Sequence, residues 1–219
     1  ITYGLLNLAH RESHENPTPI PVDKEFSIEL ELDQIAYRLL PENKLRISLS
    51  NAYWPLVWPV AEQATLTLVK GELLLPIRQK SDKPEYVFSD PEVASPWSRK
   101  IIKEPSYSNK IITDQMTNAV TIEIFDDYGI VEDNNHGLQI GTVVREAFSI
   151  PPNDPLCASG HIHWTQTLAR NKWNIRTEAY TSLTSDKNNF YMTAKIEAFE
   201  EEKLIFEKEF KETIKRSFH

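Results

Sequence analysis

Apolar and polar residues alternate in several segments of the chain, with the period of two that is typical of a β-strand. The segment 26–32, FSIELEL, shows it clearly, because every second residue is apolar and the residues between are serine or glutamate. The same alternation occurs at 45–49, 120–124 and 173–179. Such segments place one face on a core and the other in water, so the pattern predicts an all-β protein with an antiparallel sheet.

The last third of the chain is predicted to form a meander of consecutive antiparallel strands. Ser185–Asn188 has the composition of a turn and separates two long strand-like runs. The final run has charges that would also suit a helix, but its apolar residues alternate, so it is predicted as a strand. The four predicted strands are 160–169, 172–184, 189–199 and 203–214.

Two other segments are predicted to lie outside strands. Asp126–Gly129, DDYG, ends in a glycine that can adopt a positive φ, and it predicts a hairpin turn. Residues 79–110 contain Pro84, Pro91, Pro96 and Pro105 among polar residues, which predicts a long irregular loop. Neither the segment before this loop nor the segment after it looks like a complete domain by itself, so we expect residues 1–219 to form a single domain.

Composition and charge exclude several classes of partner. The chain has 219 residues and a formal net charge of -8, so its field repels nucleic acid and anionic membrane surfaces. Cys157 is the only cysteine in the sequence. The sequence also contains no run of about 18 apolar residues, the length that a membrane-spanning helix needs. We therefore expect a soluble cytoplasmic protein. The chain begins at Ile1 within a strand-like segment, so we expect the natural N-terminus to lie upstream.

The motifs of common enzyme classes are missing from the sequence. None of the six glycines forms the G-x-S-x-G turn of a serine nucleophile or the glycine-rich loops that hold phosphate groups. Cys157 is interpreted as a structural or loop cysteine, because a catalytic thiol needs surroundings that lower its pKa. No catalytic residue and no cofactor are assigned to this chain.

The histidines give weak signals for a metal site. His161 and His163 lie two apart on a predicted strand, so their side chains share a face, but no glutamate follows at the spacing that cupin metal sites use. His10 and His14 precede a proline-rich segment and form no H-E-x-x-H motif. His136 lies in an acidic turn without calcium-loop spacing. No metal ligand is predicted.

Residues 51–59, NAYWPLVWP, are the most distinctive segment of the chain. Tyr53, Trp54 and Trp58 cluster around Pro55 and Pro59, directly after the predicted strand 45–49. Prolines stop ladder pairing and favour an extended loop. The aromatic side chains could fill one end of a core, dock on another domain or bind a ligand, and the sequence leaves these roles open.

Four segments resemble one family in sequence and order: 1–20, ITYGLLNLAHRESHENPTPI; 48–59, SLSNAYWPLVWP; 126–146, DDYGIVEDNNHGLQIGTVVRE; and 173–186, WNIRTEAYTSLTSD. They resemble the C-terminal non-catalytic domain of the X-prolyl dipeptidyl peptidase and cocaine esterase family of serine hydrolases. The resemblance implies an antiparallel, jelly-roll-like (galactose-binding-like) β-sandwich whose first strands are missing here. It also implies an α/β-hydrolase domain in the same parent protein, which carries the catalytic triad.

In the family that this chain resembles, the sandwich packs on the catalytic domain and helps to form the wall of the substrate pocket. The resemblance therefore implies that Tyr53, Trp54 and Trp58 divide between filling the sandwich end and docking on the hydrolase domain. An alternative is a carbohydrate-binding jelly-roll module that uses the same three aromatic residues as a platform. Missing strands would also leave a sheet edge exposed, which could support a homo-oligomer.

Overall fold

The computed structural model describes residues 1–62, 64–78 and 87–217. Regular secondary structure lies mostly in the second half of these residues, and it is almost entirely β. Two single-turn 3₁₀ helices occur at Leu8–His10 and Pro155–Cys157. The strands are β1 (Arg99–Lys103), β2 (Ser106–Thr113), β3 (Val120–Asp133), β4 (Gln139–Ile150), β5 (Ser159–Arg170), β6 (Trp173–Ser185), β7 (Asn189–Glu200) and β8 (Lys203–Lys215).

All the strands pair antiparallel in one open sheet with the order β1-β3-β4-β5-β6-β7-β8. β2 also pairs with β3, so β1 and β2 share the outer edge of that long strand. From β3 to β8 each strand pairs with the next along the chain, through connections of two to eight residues. The all-β antiparallel fold is confirmed, and the architecture is consistent with a β-sandwich domain.

The two faces of the sheet differ in chemistry, as the period of two requires. One row of paired residues across β4 to β7 contains Arg145, His163, Tyr180 and Lys195, and we call this side the polar face. The neighbouring row, Val144, Trp164, Ala179 and Ile196, belongs to the apolar face. Val144 is buried, whereas Trp164 and Ile196 remain exposed, so the apolar face is only partly covered by the described residues.

The meander prediction is confirmed, with strand ends within a few residues of those expected. β5 to β8 occupy 159–170, 173–185, 189–200 and 203–215, and the predicted turn joins β6 to β7. β8 forms an open edge of the sheet, and seven of its 13 residues are lysine or glutamate. Charged side chains on an edge strand disfavour pairing with another chain, so the composition of β8 disfavours self-association through this edge.

The prediction of a hairpin turn at Asp126–Gly129 is wrong, because β3 continues through this segment. The pairing of β3 with β4 shifts register between Asp127 and Ile130, which marks a β-bulge. Gly129 has a φ of 74°, and its N–H donates to Oδ1 of Asp127. A glycine at positive φ is compatible with either a bulge or a turn. Here β3 pairs with β4 on one side and with β1 and β2 on the other, so the segment continues the strand as a bulge.

Other predictions also need correction. Residues 26–32 and 45–49 form no strand, because alternation supplies two faces but a strand also needs a partner in register. Residues 99–103 form β1 and residues 106–113 form β2, so both strands begin within the predicted loop 79–110. Pro96 and Pro105 lie outside these strands, where no ladder N–H is required. Residues 79–86 of that prediction lie outside the described residues.

Among the residues that the structure describes, no helix is long and apolar enough to cross a membrane.

Candidate functional site

The aromatic segment lies over one end of the apolar face, and residues 53–60 are called the aromatic loop from here on. The ring of Trp54 packs edge to face on Phe148 of β4, with centroids 6.3 Å apart. The ring of Trp58 packs in the same manner on Phe190 of β7, also at 6.3 Å. Gly160 of β5 lies beneath them, where an added Cβ would be 3.7 Å from Trp58. The loop thus crosses several strands of the sheet.

Trp54 and Trp58 also pack on each other. Their ring centroids are 5.2 Å apart with an interplanar angle of 73°, an edge-to-face geometry that aromatic pairs favour. The peptide bond between Trp54 and Pro55 is cis. Two rings in this arrangement do not form the flat surface that a carbohydrate platform would need.

Two polar side chains from distant parts of the sequence hold the loop on the sheet. Nε1 of Trp58 donates a hydrogen bond to Oγ of Ser185 at 3.0 Å. Nη2 of Arg216 donates to the carbonyl oxygen of Pro59 at 2.7 Å, and Nη1 donates to the same Oγ of Ser185 at 3.0 Å. We call Trp58, Ser185 and Arg216 the anchor of the loop.

The guanidinium of Arg216 lies in a mainly buried position. Arg216 is 7% exposed, and its Cζ lies 4.7 Å from the centroid of the Phe190 ring. Burial lowers the pKa of Arg216, while the charge of Asp186 acts in the opposite direction. Charged hydrogen bonds in a mainly buried site are stronger than neutral bonds at the surface, so this contact restrains the loop effectively.

A second, weaker link joins the same two regions at the surface. Nζ of Lys187, in the turn between β6 and β7, lies 2.8 Å from Oε1 of Glu62. The hydrogen bond from Lys187 lowers the pKa of Glu62. Both side chains are exposed, and such ion pairs contribute little to stability, so the anchor provides most of the attachment.

The other side of the aromatic loop faces away from the sheet. Tyr53, Leu56 and Val57 are 49%, 60% and 41% exposed, and together we call them the rim. Among the aromatic contacts of the described residues, the Tyr53 ring packs only on Tyr3, in an edge-to-face geometry with centroids 6.3 Å apart. Three exposed apolar side chains on one restrained loop form a surface suited to contact with another protein surface.

The structure therefore separates residues that the sequence grouped together. Trp54 and Trp58 face the sheet of their own chain, whereas Tyr53 faces outward with Leu56 and Val57. Sequence reasoning missed Ser185 and Arg216, because neither residue type nor spacing links them to a segment more than 120 positions away.

His161 and His163 share the polar face, as their spacing predicted. Nε2 of His163 lies 2.6 Å from Oε2 of Glu178, and the ring of Tyr180 stacks on His163 at 4.2 Å. Oε2 of Glu178 also accepts from Thr165, and Oε1 accepts from Arg176, both at 2.6 Å. Burial raises the pKa of Glu178, but these hydrogen bonds together with the charge of His163 hold it below its ordinary value.

His161, His163 and Tyr180 border a trough of about 660 Å³ on the polar face. Its lining carries both acidic and basic side chains, including Arg145, Lys195 and Glu209. Within the described ranges, no three histidine, cysteine or acidic side chains are grouped so that they could bind a metal.

The remaining sequence candidates lie apart from one another. His10 and His14 stack on each other with ring centroids 6.1 Å apart. His136 lies 3.5 Å from Asp133, which also accepts a hydrogen bond from Nε1 of Trp97. Cys157 is exposed, and a hydrogen bond with Asp154 raises its pKa, which disfavours the reactive thiolate.

The profile of the X-Pro dipeptidyl-peptidase C-terminal non-catalytic domain family matches residues 1–111. The match covers 111 of the 219 residues and includes the aromatic loop, β1 and most of β2. No match is found among curated proteins or among solved structures. Since the family profile covers half of its residues, the chain belongs to the family of X-Pro dipeptidyl-peptidase C-terminal non-catalytic domains.

Proposed function

We propose that residues 1–219 form one accessory β-sandwich domain of a serine hydrolase of the dipeptidyl-peptidase or acyl-esterase type. The domain packs on the α/β-hydrolase domain of the same protein and helps to form the wall of its substrate pocket. Membership in a non-catalytic C-terminal domain family supports a catalytic partner in the same protein. What we propose beyond this is that the two domains are in contact and that the contact affects the substrate pocket.

The observation that carries this proposal is the division of the aromatic loop into an anchored side and an exposed side. Trp58 and Arg216 fix the loop on the sheet, so the rim is presented in one orientation. A preorganised apolar surface loses little conformational entropy when it docks. Tyr53 adds a large ring with a polar hydroxyl, a combination that is common at interfaces.

The role of the rim is contact and exclusion of water, without proton transfer. Tyr53, Leu56 and Val57 offer apolar surface and one hydroxyl group, which suit packing and hydrogen bonding at an interface. A wall of this kind affects substrate binding and orientation, while the reaction takes place on groups of the catalytic domain.

The experiment compares Tyr53→Ala with Tyr128→Ala in the full-length protein. Tyr128 is a matched control, because it is 51% exposed and its ring also packs edge to face on one tyrosine, Tyr107. It lies in the β3 bulge, away from the aromatic loop. We expect Tyr53→Ala to change kcat/KM at least about threefold, or to lower the urea concentration at which the two domains separate.

The same measurements on Tyr128→Ala should give values close to those of the wild type. Equal kcat/KM values and equal domain separation for both variants would contradict docking through the rim. A double variant, Leu56→Ser with Val57→Ser, provides a second test, because it removes apolar rim surface and leaves Tyr53 in place.

A further inference from the structure

Arg216 contacts two separate parts of the chain, the aromatic loop and the segment 185–188 at the end of β6. Nη2 donates to the Pro59 carbonyl oxygen at 2.7 Å, and Nη1 donates to Ser185 Oγ and to the Asp186 carbonyl oxygen, each at 3.0 Å. Its backbone N–H donates to the carbonyl oxygen of Asn188 at 2.7 Å. Arg216 therefore joins the aromatic loop to the turn between β6 and β7.

The planar guanidinium suits this position better than any other side chain. It directs donors from two nitrogens toward acceptors in different segments, and its Cζ lies over the Phe190 ring, 4.7 Å from the centroid. Lysine would keep the positive charge, but its single nitrogen cannot hold the same fork and stack on the ring together.

We infer that Arg216 is a positioning residue for docking: it holds Pro59, and through Pro59 the rim, in the orientation that meets the catalytic domain. This inference rests on the proposed function. Pro59 follows Trp58 directly, so the hydrogen bond to its carbonyl oxygen fixes the end of the loop at which the chain leaves the sheet. Release of this bond frees the rim to sample other orientations, which costs entropy on docking.

The first test measures amide hydrogen exchange in the 219-residue chain for the wild type, Arg216→Lys and Arg145→Lys. Arg145 is the control, because its guanidinium also lies over a phenylalanine, Phe125, at 5.2 Å, but it belongs to the polar face. The reporter is the Val57 amide, which donates to the carbonyl oxygen of Tyr53 at 2.8 Å within the loop.

We expect Arg216→Lys to speed exchange at Val57 about tenfold or more, since a charged hydrogen bond is lost, while amides of β5 and β6 keep their protection. Arg145→Lys should leave Val57 unchanged. Ser185→Ala is a second variant that removes the shared acceptor without changing a charge, and it should speed exchange at Val57 as well. Unchanged exchange at Val57 in Arg216→Lys, or equal acceleration across β5 and β6, would overturn the positioning role.

The second test measures kcat/KM of Arg216→Lys in the full-length protein beside Tyr53→Ala. If both variants alter kcat/KM in the same direction, the positioning role in docking is supported. If exchange at Val57 rises in the chain but neither variant alters kcat/KM or domain separation, the proposed docking itself fails. If Tyr53→Ala has an effect and Arg216→Lys has none, docking stands and the positioning role is overturned.

Discussion

Nε1 of Trp58 donates a hydrogen bond to Oγ of Ser185 at 3.0 Å, across a sequence separation of 127 residues. The same oxygen accepts a second bond from Arg216, so one hydroxyl group uses both of its lone pairs to attach the aromatic loop. This relationship gives Trp58 a structural role within its own chain. It leaves Tyr53, Leu56 and Val57 as the exposed part of the loop.

The two tryptophans should respond differently to replacement by phenylalanine. Trp58→Phe removes the hydrogen-bond donor to Ser185. This loss should lower the free energy of unfolding by about 1–2 kcal/mol, in addition to the loss caused by burying a smaller ring. Nε1 of Trp54 is buried and has no hydrogen-bond partner among the described residues, so Trp54→Phe removes no such bond. Urea melts of both variants provide the measurement, and equal losses of stability would contradict the assigned contact.

Substitution of the bulge glycine should be much more costly than substitution of a turn glycine. Gly129 has a φ of 74°, and a Cβ there would lie 2.2 Å from the Lys103 carbonyl oxygen, so Gly129→Ala must displace backbone. Gly137 has a φ of 69° with no atom within 4 Å of the added Cβ, so Gly137→Ala carries only the conformational cost of about 1 kcal/mol.

We expect Gly129→Ala to lower the free energy of unfolding by about 3 kcal/mol or more, because the clash adds to the conformational strain. Thermal or urea unfolding of the two variants side by side is the check. Similar losses for both glycines would show that β1 does not pass so close to the bulge.

The hydrogen-bonded carboxylate of Glu178 predicts a specific loss of stability in acid. Its pKa is lower in the folded than in the unfolded chain, so the unfolded state takes up the proton first as pH falls. The stabilisation is present above the ordinary glutamate pKa of about 4.3 and is lost as pH falls through the lowered value. The unfolding free energy of the wild type should therefore decrease as pH falls below about 4.3.

Glu178→Gln should flatten this dependence, because the titrating group is gone while a side chain of similar size remains. The control is Glu202→Gln, at an exposed position in the turn between β7 and β8. Urea melts at several pH values between about 3 and 6 give the slopes. A slope for Glu178→Gln as steep as that of the control would exclude this carboxylate as a source of the acid sensitivity.

The chain should show no serine hydrolase activity of its own. It contains no G-x-S-x-G motif, so no serine lies on the strained turn that exposes a nucleophile in α/β-hydrolases. A fluorophosphonate probe should leave the chain unlabelled, and nitrophenyl esters should not turn over. Stoichiometric labelling of one serine would contradict the non-catalytic role.

The periodic parts of the sheet could be predicted from the sequence because their structure depends on near neighbours. β5 to β8 follow one another through turns of two to three residues, so alternation and turn composition together define each strand. β1 and β2 were missed for the opposite reason. They pair with β3 across the chain rather than with each other, and that partner, not their own composition, makes them strands.

At the candidate site, too, local sequence determined some features and long-range contacts determined the others. The residues 51–59 alone determined that a loop with clustered aromatic rings exists, because prolines prevent ladder pairing there. Only the tertiary structure decided that Trp54 and Trp58 face the sheet while Tyr53 faces outward. That choice depends on Phe148, Ser185 and Arg216, which long-range folding brings to the loop, and no local pattern encodes such contacts.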